Sequence, residues 1–180
     1  VIMNAGAHGS SISAIFDSAL VLDSLTGEVS EMRSDDMAFQ YRRCALDPAR
    51  HVVLSAKFNM PSDVPEEIEK RTKHNEDYRF KTQPLGFPNA GSTFKNPLLD
   101  EAGVKDLKEG NAAVSSIHAN FIVNLGGATS DEVINLMKRM QERVHDKFKL
   151  DLVPEWKTMG TFTDDQLSVW HKKTVVENKQ

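Results

Sequence analysis

The chain has 180 residues, of which 39% are hydrophobic and 27% charged, a balance that excludes a disordered or collagen-like protein. Its 22 basic and 26 acidic residues give a net charge of −4, so no electrostatic footprint for nucleic acid stands out. No apolar run approaches the roughly 20 residues that a membrane span needs. The single cysteine, Cys44, excludes an internal disulfide. We therefore expect one or two small domains in a reducing compartment, with no nucleic acid or membrane as partner.

The first 60 residues carry the signals of a β-rich region. Residues 19–23 form a short apolar strand, residues 24–27 give a turn signal, and Glu28 begins the return strand. His51–Phe58 is a further strand because it is rich in β-branched residues. The chain opens without an initiator methionine, so we expect that a larger N-terminal part precedes it. The alternative is a complete domain that has been trimmed.

Residues 62–79 change in character and predict a helix. Pro65 lies in its first turn, and Glu66 and Glu67 lie near the positive end of the helix dipole. The rest of the segment is polar nearly all round, and a helix with so few apolar positions packs weakly. We therefore interpret residues 61–80 as a connector helix between two lobes.

The remaining residues predict a small sheet covered by one amphipathic helix, so the fold class is α+β. Residues 83–92 indicate a loop, 112–114 and 120–124 strands, and 150–154 a last short strand. A capping box of Thr129 and Glu132 begins the clearest helix. Its predicted apolar face consists of Val133, Leu136, Met137, Met140, Val144 and Phe148. The polar tail from residue 164 is expected to form a loosely docked helix.

Polar residues gather most densely between residues 89 and 97. Gly91 lets the backbone approach a ligand closely, and Ser92 presents a hydroxyl at a turn. Lys95 and Asn96 offer a cation and an amide suited to a phosphate. The segment lacks the ending of a P-loop and the Gly-x-Ser-x-Gly of a nucleophile elbow. On composition alone, an ordinary Asn/Gly/Ser loop is the alternative.

Three further features are candidates on local grounds. Arg42, in the Tyr-Arg-Arg stretch 41–43, is suited to forking onto a carboxylate, or else belongs to a surface arginine pair. Glu155 follows a predicted strand, where it either faces a cleft or is solvated. The six histidines show no metal-ligand spacing, so no metal site is predicted. His118, near Asn120, is the most site-like of them, although a structural histidine is the simpler interpretation locally.

Six short stretches together resemble the UDP-N-acetylenolpyruvoylglucosamine reductase family, flavoenzymes of peptidoglycan precursor synthesis. They stand in the family's order, and the resemblance runs from residue 1 to about residue 160. The compact arrangement resembles the shorter of the family's two types. The stretches are residues 3–9 (Met-Asn-Ala-Gly-Ala-His-Gly), 41–42 (Tyr-Arg), 83–85 (Gln-Pro-Leu), 90–97 (Ala-Gly-Ser-Thr-Phe-Lys-Asn-Pro), 118–124 (His-Ala-Asn-Phe-Ile-Val-Asn) and 154–155 (Pro-Glu).

The resemblance implies the family's flavin chemistry and domain arrangement. Members bind FAD with N-terminal domains, take a hydride from NADPH, and reduce UDP-N-acetylglucosamine enolpyruvate to UDP-N-acetylmuramate in the cytoplasm. Residues 1–60 would be the C-terminal remnant of the FAD-binding domain, and 81–153 the small α+β substrate-binding domain. Residues 154–180 would be a return segment and tail. The missing N-terminal FAD-binding part of the same protein would then be a partner of this chain.

The resemblance also implies roles for single residues. Arg42 would hold the substrate carboxylate and stabilise the enolate, and Ser92 would donate a proton to the carbanionic carbon. Glu155 would assist as a polariser or proton relay. The flavin wall would consist of Asn4, Ala5, Gly6, His8 and Gly9. Substrate contacts would come from Tyr41, Gln83, Lys95, Asn96, His118 and Asn120.

The sequence departs from the family pattern at several points. The glycine-rich segment that grips the FAD pyrophosphate is absent, and Pro97 runs almost directly into Leu98, where members usually have several more residues. His8 stands where the family usually has tyrosine, and Cys44 where serine is common. Two other interpretations remain: a non-catalytic sugar-nucleotide-binding module that has lost its flavin domain, and an α+β domain of unknown role.

Overall fold

The computed structural model describes residues 1–95 and 97–171 and divides the chain into two compact units, Val1–Asn75 and Glu76–Gln180. Each unit contains an antiparallel sheet, and helices accompany both sheets. The predicted α+β class is therefore confirmed. The predicted tail beyond His171 and the predicted site residue Asn96 lie outside the described residues.

The first unit is built on a three-stranded antiparallel sheet with the strand order β4-β3-β5. The strand predicted at 19–23 begins earlier, at the buried Phe16, and pairs on one side with the return strand and on the other with His51–Phe58. A two-stranded hairpin precedes this sheet. The elements are β1 (Gly6–Ala7), β2 (Ser10–Ser11), a 3₁₀ turn (Ile12–Ala14), β3 (Phe16–Asp23), β4 (Val29–Arg33), α1 (Ser34–Met37) and β5 (His51–Phe58).

One face of this sheet covers the core of the first unit. The core comprises Phe16, Ala19, Val21, Met37 and Leu46. Two of the three β3 residues in it, Ala19 and Val21, are separated by one position, as expected where side chains alternate between the faces of a strand. The half-buried thiol of Cys44 packs against this core, close to its predicted role as a small hydrophobe.

A long polar helix, α2 (Pro65–Thr82), spans the boundary between the two units. None of its residues is buried, as predicted from its composition. It begins at Pro65 rather than at residue 62, because proline is favoured in the first turn, where its missing N–H is not needed.

The second unit contains a four-stranded antiparallel sheet and one long amphipathic helix. The strand order is β6-β9-β8-β7. The buried residues of this unit's core come from the sheet, from the long helix, and from the segments that connect and follow them. The elements are β6 (Asn89–Ser92), 3₁₀ turns (Pro97–Leu99 and Val104–Asp106), β7 (Lys108–Glu109), β8 (Ala112–Val114), β9 (Phe121–Asn124), α3 (Ser130–Phe148) and α4 (Asp164–His171).

One loop prediction and one strand prediction in this unit are wrong. β6 occupies the end of the predicted loop, because its residues pair with β9, a partner about 30 positions along the chain. Residues 150–154 form no strand and contribute one isolated bridge, between Pro154 and Phe94. Proline has no N–H to donate to a ladder, and the carbonyl of Leu152 accepts its hydrogen bond from the Gln141 side chain instead.

The predicted capping box starts α3, but the buried face of the helix is shifted. Val133 and Phe148 are only partly buried, whereas Ile134 and Gln141 are buried. Gln141 lies in the core because its Nε2 donates to the carbonyls of Leu152 and Val169, both at 2.9 Å. Since Val169 belongs to α4, this hydrogen bond also holds α4, the last described helix, against α3. The helix is therefore docked more firmly than the sequence predicted.

The described residues contain neither a candidate membrane span nor a candidate metal cluster. Within ranges 1–95 and 97–171, no helix combines the length and apolar character required to cross a membrane. In the same ranges, no three His, Cys, Asp or Glu side chains come together as a candidate metal site.

Candidate functional site

The predicted site residues fall into two groups, one in each unit. Each group is local to its unit and is built by a different set of elements. The first unit holds Asn4, Ala5, Gly6, His8, Gly9, Tyr41 and Arg42, and the second holds Gln83, Ser92, Lys95, His118, Asn120 and Glu155.

The structure brings most of the first group together around one cleft of about 360 Å³. The β1–β2 hairpin forms one wall and the turn with Tyr41 and Arg42 the other. Ala5 does not line the cleft; its carbonyl accepts a hydrogen bond from the N–H of Ile12 at 2.9 Å. Ser10 and Ser11 also line the cleft, although the sequence did not indicate them as site residues. Recognition of the hairpin, in which Gly6 pairs with Ser11, would have found them.

Asn4 braces the two walls of this cleft. Its Nδ2 donates to the carbonyl of Gln40 at 3.1 Å, and its Oδ1 accepts from the N–H of Ser13 at 2.9 Å. The side chain expected to face the cofactor therefore ties the loop to the turn that carries Tyr41 and Arg42.

The backbone around the cleft adopts left-handed conformations at non-glycine residues. The φ angles are +40° at Asn4, +50° at His8 and +57° at Arg42. Each costs roughly 1–2 kcal/mol for a residue with a Cβ, and such strain concentrates at functional sites. The Arg42 guanidinium lies 5.4 Å from the centre of the Tyr41 ring, within range of a cation–π interaction. The cleft thus has an aromatic ring and a planar cation on one wall.

Ser92 is placed by an irregularity at the end of β6. The pairing with β9 shifts between Asn89 and Ser92, and the Gly91 N–H donates to Asn89 Oδ1 at 3.1 Å. Gly91 has φ +79°, which glycine adopts without the steric cost of a Cβ. Irregularities of this kind re-aim a side chain next to active sites. Ser92 is half-buried and pairs with Phe121 of β9.

Backbone hydrogen bonds place Glu155 beside the Ser92 segment. The Glu155 N–H donates to the Thr93 carbonyl at 2.8 Å, and the Lys95 N–H donates to the Val153 carbonyl at 3.0 Å. Both bonds flank the bridge between Phe94 and Pro154. Two stretches about 60 residues apart in the sequence are therefore neighbours, and a serine hydroxyl, a carboxyl group and an exposed lysine are carried on one small framework.

The remaining predicted residues surround this framework. Asn120 hydrogen-bonds the backbone of Phe94 through its side chain. The Nδ1 of His118 accepts from the Asn120 N–H at 3.2 Å, so one nitrogen of this ring bonds the main chain next to the framework. Gln83 directly follows α2 and is half-buried.

A second cleft of about 250 Å³ lies in the second unit, between the start of α3 and the residues after Glu155. Its walls are largely apolar and include Met137, Trp156, Phe162 and Trp170. None of the predicted site residues that the structure describes lines it.

The framework lies within a region that matches a known protein family. A family model described as "UDP-N-acetylenolpyruvoylglucosamine reductase, C-terminal domain" matches residues 83–159, a range that includes Ser92 and Glu155. The chain is also 40% identical over 168 residues to the UDP-N-acetylenolpyruvoylglucosamine reductase of Bacillus licheniformis, covering 89% of this chain and 91% of that protein. The chain belongs to the UDP-N-acetylenolpyruvoylglucosamine reductase family. The resemblance stated from its motifs is thereby confirmed.

Other members of the reductase family are longer than this chain. UDP-N-acetylenolpyruvoylglucosamine reductase 1 of Bacillus cereus is 38% identical over 168 residues, which cover 89% of this chain and 56% of that protein. The crystal structure of the reductase from Thermus caldophilus superposes with a TM-score of 0.74 at 32% identity, over 87% of this chain and 57% of that one. The chain therefore spans little more than half the length of these two reductases.

Proposed function

We propose that this chain supplies the substrate-binding and proton-donating groups for the FAD-dependent, NADPH-driven reduction of UDP-N-acetylglucosamine enolpyruvate to UDP-N-acetylmuramate. Membership of the reductase family supports the reaction class. The observation that carries the proposal is the hydrogen bond of 2.8 Å between the Glu155 N–H and the Thr93 carbonyl, which holds Glu155 beside the Ser92 segment.

The cleft in the first unit is proposed to hold part of a flavin rather than the whole of FAD. Its volume of about 360 Å³ lies near the lower end of the roughly 300–1,000 Å³ of small-molecule sites. Asn4, Gly6, His8 and Gly9 would form a wall against the ring, as the family resemblance implies, with hydroxyls of the hairpin as polar partners. FAD, when bound, supplies the redox chemistry by transferring a hydride from NADPH to the enolpyruvyl group.

Arg42 is proposed to bind the substrate carboxylate. Hydride addition to an enol ether that bears a carboxylate spreads negative charge onto that carboxylate. A guanidinium fork stabilises this charge through two parallel charge-assisted hydrogen bonds, and it does so where the charge develops in the transition state. The neighbouring Tyr41 ring, with the guanidinium 5.4 Å from its centre, limits the conformations that the guanidinium samples.

Ser92 is proposed to protonate the carbanionic carbon, assisted by Glu155. A hydroxyl is a weak acid, but it protonates a strongly basic carbanion when held within hydrogen-bond reach. Glu155 would polarise or relay that proton. Lys95, which is exposed, and Asn96 would contact the substrate phosphates, and Gln83 and His118 would complete the sugar-nucleotide site.

We also propose a cytoplasmic location. The described cysteine, Cys44, is a free thiol, and thiols persist in reducing compartments. NADPH as hydride donor is consistent with the same compartment.

The proposed function is tested by turnover in the flavin-loaded protein, which here means this chain joined to the N-terminal FAD-binding domains that the family resemblance implies. We expect one NADPH oxidised for each UDP-N-acetylmuramate formed, measured by absorbance and mass spectrometry. Arg42→Lys keeps the charge but loses the fork, so it should lower kcat by roughly 10²–10³-fold, the range for a transition-state hydrogen-bond donor. Arg43→Lys is the matched control and should be nearly silent. Substrate binding by calorimetry without any turnover would instead favour a sugar-nucleotide-binding module.

A further inference from the structure

We propose that Asn120 is a positioning residue that fixes segment 92–95 against the segment that carries Glu155. The inference rests on the proposed function, in which Ser92 and Glu155 act on the substrate. It replaces direct substrate contact as the role of Asn120.

The Asn120 side chain forms two hydrogen bonds with a single residue, Phe94. Its Nδ2 donates to the Phe94 carbonyl at 2.7 Å, and its Oδ1 accepts from the Phe94 N–H at 2.8 Å. An amide that uses one donor and its acceptor in this way imitates the main chain of a paired strand. Because β6 ends at Ser92, the ladder does not serve the polar groups of Phe94, and the Asn120 amide satisfies both. We call this pair of bonds the Asn120 clamp.

Backbone bonds extend the Asn120 clamp to Glu155. The Thr93 N–H donates to the Asn120 carbonyl at 2.8 Å, while the Thr93 carbonyl accepts from the Glu155 N–H at 2.8 Å. The Phe94 ring is 1% exposed and packs in the core. Segment 92–95 is thus held by Asn120 on one edge, by residues 153–155 on the other, and by a buried ring beneath.

The position of this segment matters for the proposed proton transfer. The Ser92 hydroxyl must reach the substrate carbon within hydrogen-bond distance, and a displacement of about 1 Å can cost about 10²-fold in rate. Loss of the Asn120 clamp leaves the N–H and C=O of Phe94 without their partners, which favours a shift of the segment.

The chain offers a matched control at the other end of β9, since Asn120 directly precedes this strand and Asn124 ends it. Asn124 also binds backbone groups, but its Oδ1 alone accepts, from the N–H groups of Gly126 at 2.8 Å and Ala128 at 3.0 Å. An aspartate can replace Asn124 without losing either bond. At Asn120, an ionised aspartate loses the donor and directs negative charge at the Phe94 carbonyl, whereas a protonated one restores both bonds.

Amide hydrogen exchange of the full chain, without flavin or substrate, tests the Asn120 clamp itself. We expect Asn120→Ala to lower the protection factors of the Phe94, Lys95 and Glu155 amides by at least 10-fold, and Asn124→Ala to leave them unchanged. We expect Asn120→Asp to lose protection at pH 7 and to recover it near about pH 5, because burial beside a carbonyl raises the pKa of the new carboxyl. Unchanged protection in both Asn120 variants would overturn the proposal.

Kinetics of the flavin-loaded protein test the consequence for catalysis. Relative to the parent protein at each pH, Asn120→Asp should lower kcat at pH 7 by about 10²-fold, with KM changed less than 3-fold, and should regain kcat as the pH falls. Asn124→Asp should follow the parent at both values. A rise in KM with kcat preserved would identify Asn120 as a substrate ligand and overturn the proposal. If Ser92→Ala kept full activity while Asn120→Ala lost protection, the proposed function would fail and the Asn120 clamp would stand.

Discussion

Lys95 carries an exposed ammonium group on a backbone that the Val153 carbonyl fixes at 3.0 Å. We expect Lys95→Ala to weaken binding of UDP-N-acetylglucosamine enolpyruvate by roughly 1–3 kcal/mol, as for hydrogen bonds to a charged group. Isothermal titration calorimetry measures the change. Lys105→Ala, which removes a surface ion pair with Asp100, is the control and should leave affinity unchanged. Unchanged affinity in Lys95→Ala would contradict the prediction that Lys95 contacts the substrate phosphates.

Asp23 joins the β3–β4 turn to the start of β5. Its carboxylate accepts from Arg50 Nε at 2.8 Å, forms an ion pair with the Arg50 guanidinium, and accepts from the Leu25 N–H at 2.9 Å. The hydrogen bond from Arg50 is the largest cause that lowers the pKa of Asp23 well below its usual range. The folded state therefore binds this proton less readily than the unfolded state, whose Asp pKa is about 3.9.

The Asp23 pair therefore predicts a pH dependence of stability. Its contribution is complete above the unfolded pKa of about 4 and is lost as the pH falls toward the lower folded pKa. We expect Asp23→Asn to lower the unfolding free energy at pH 7 and to flatten its decline below about pH 4. Urea unfolding across pH measures this. Glu28→Gln, which removes a carboxylate from the same hairpin, is the control. The prediction would be contradicted if the unfolding free energy of Asp23→Asn declined below about pH 4 as steeply as that of the parent protein.

Among the elements, the N-terminus of α3 depends on a glycine in another element. Thr129 and Glu132 cap the helix reciprocally, with Thr129 Oγ1 accepting from the Glu132 N–H at 3.2 Å and Glu132 Oε2 accepting from the Thr129 N–H at 2.9 Å. A Cβ on Gly110, in the β7–β8 turn, would overlap Glu132 Oε1. The hairpin and the capping box are thus packed together.

This packing predicts a large effect of Gly110→Ala. Gly110 has φ +52°, so a Cβ costs roughly 1–2 kcal/mol in backbone strain, and displacement of Glu132 adds about 0.5–2 kcal/mol for the lost cap. Gly103→Ala isolates the first cost, because Gly103 has φ +70° and no described atom lies within 4 Å of its Cβ position. Urea unfolding should show the larger loss for Gly110→Ala. Equal losses would contradict the coupling.

The elements that the sequence predicted well are those defined by local signals. β5 is confirmed at His51–Phe58, and α3 begins after its predicted cap at Thr129. β6 was missed because its stability comes from pairing with β9. Residues 150–154 were mistaken for a strand because an apolar run does not reveal that the Gln141 side chain donates to the Leu152 carbonyl.

The site shows the same division between local and distant information. Motif order placed Ser92, Lys95 and Glu155 among the candidates, and the structure puts them on one framework. The two asparagines differ: Asn4 and Asn120 were expected to face ligands, and the structure binds both amides to distant backbone groups. The identity of an amide side chain does not indicate whether its partner is a ligand or the main chain.

At the scale of the molecule, the chain is organised as two units joined through α2, none of whose residues is buried. In the first unit the outer sheet face leaves Leu20, Val29, Val52 and Leu54 between 43% and 53% exposed. An apolar row of this kind is uncommon on a monomeric surface.

Catalytic roles are proposed in both units, Arg42 in the first and Ser92 and Glu155 in the second. Activity is therefore expected to require both units.

Proton donation by Ser92 is tested most directly by stopped-flow kinetics of the two half-reactions in the flavin-loaded protein. Ser92→Ala should slow oxidation of the reduced flavin by the enolpyruvyl substrate by roughly 10²–10⁴-fold. It should leave flavin reduction by NADPH nearly unchanged, because Ser92 delivers no proton in that step. Ser92→Cys should retain more activity, since a thiol still carries a transferable proton. Equal slowing of both half-reactions, or a raised KM with kcat preserved, would contradict the assignment of Ser92 as the proton donor.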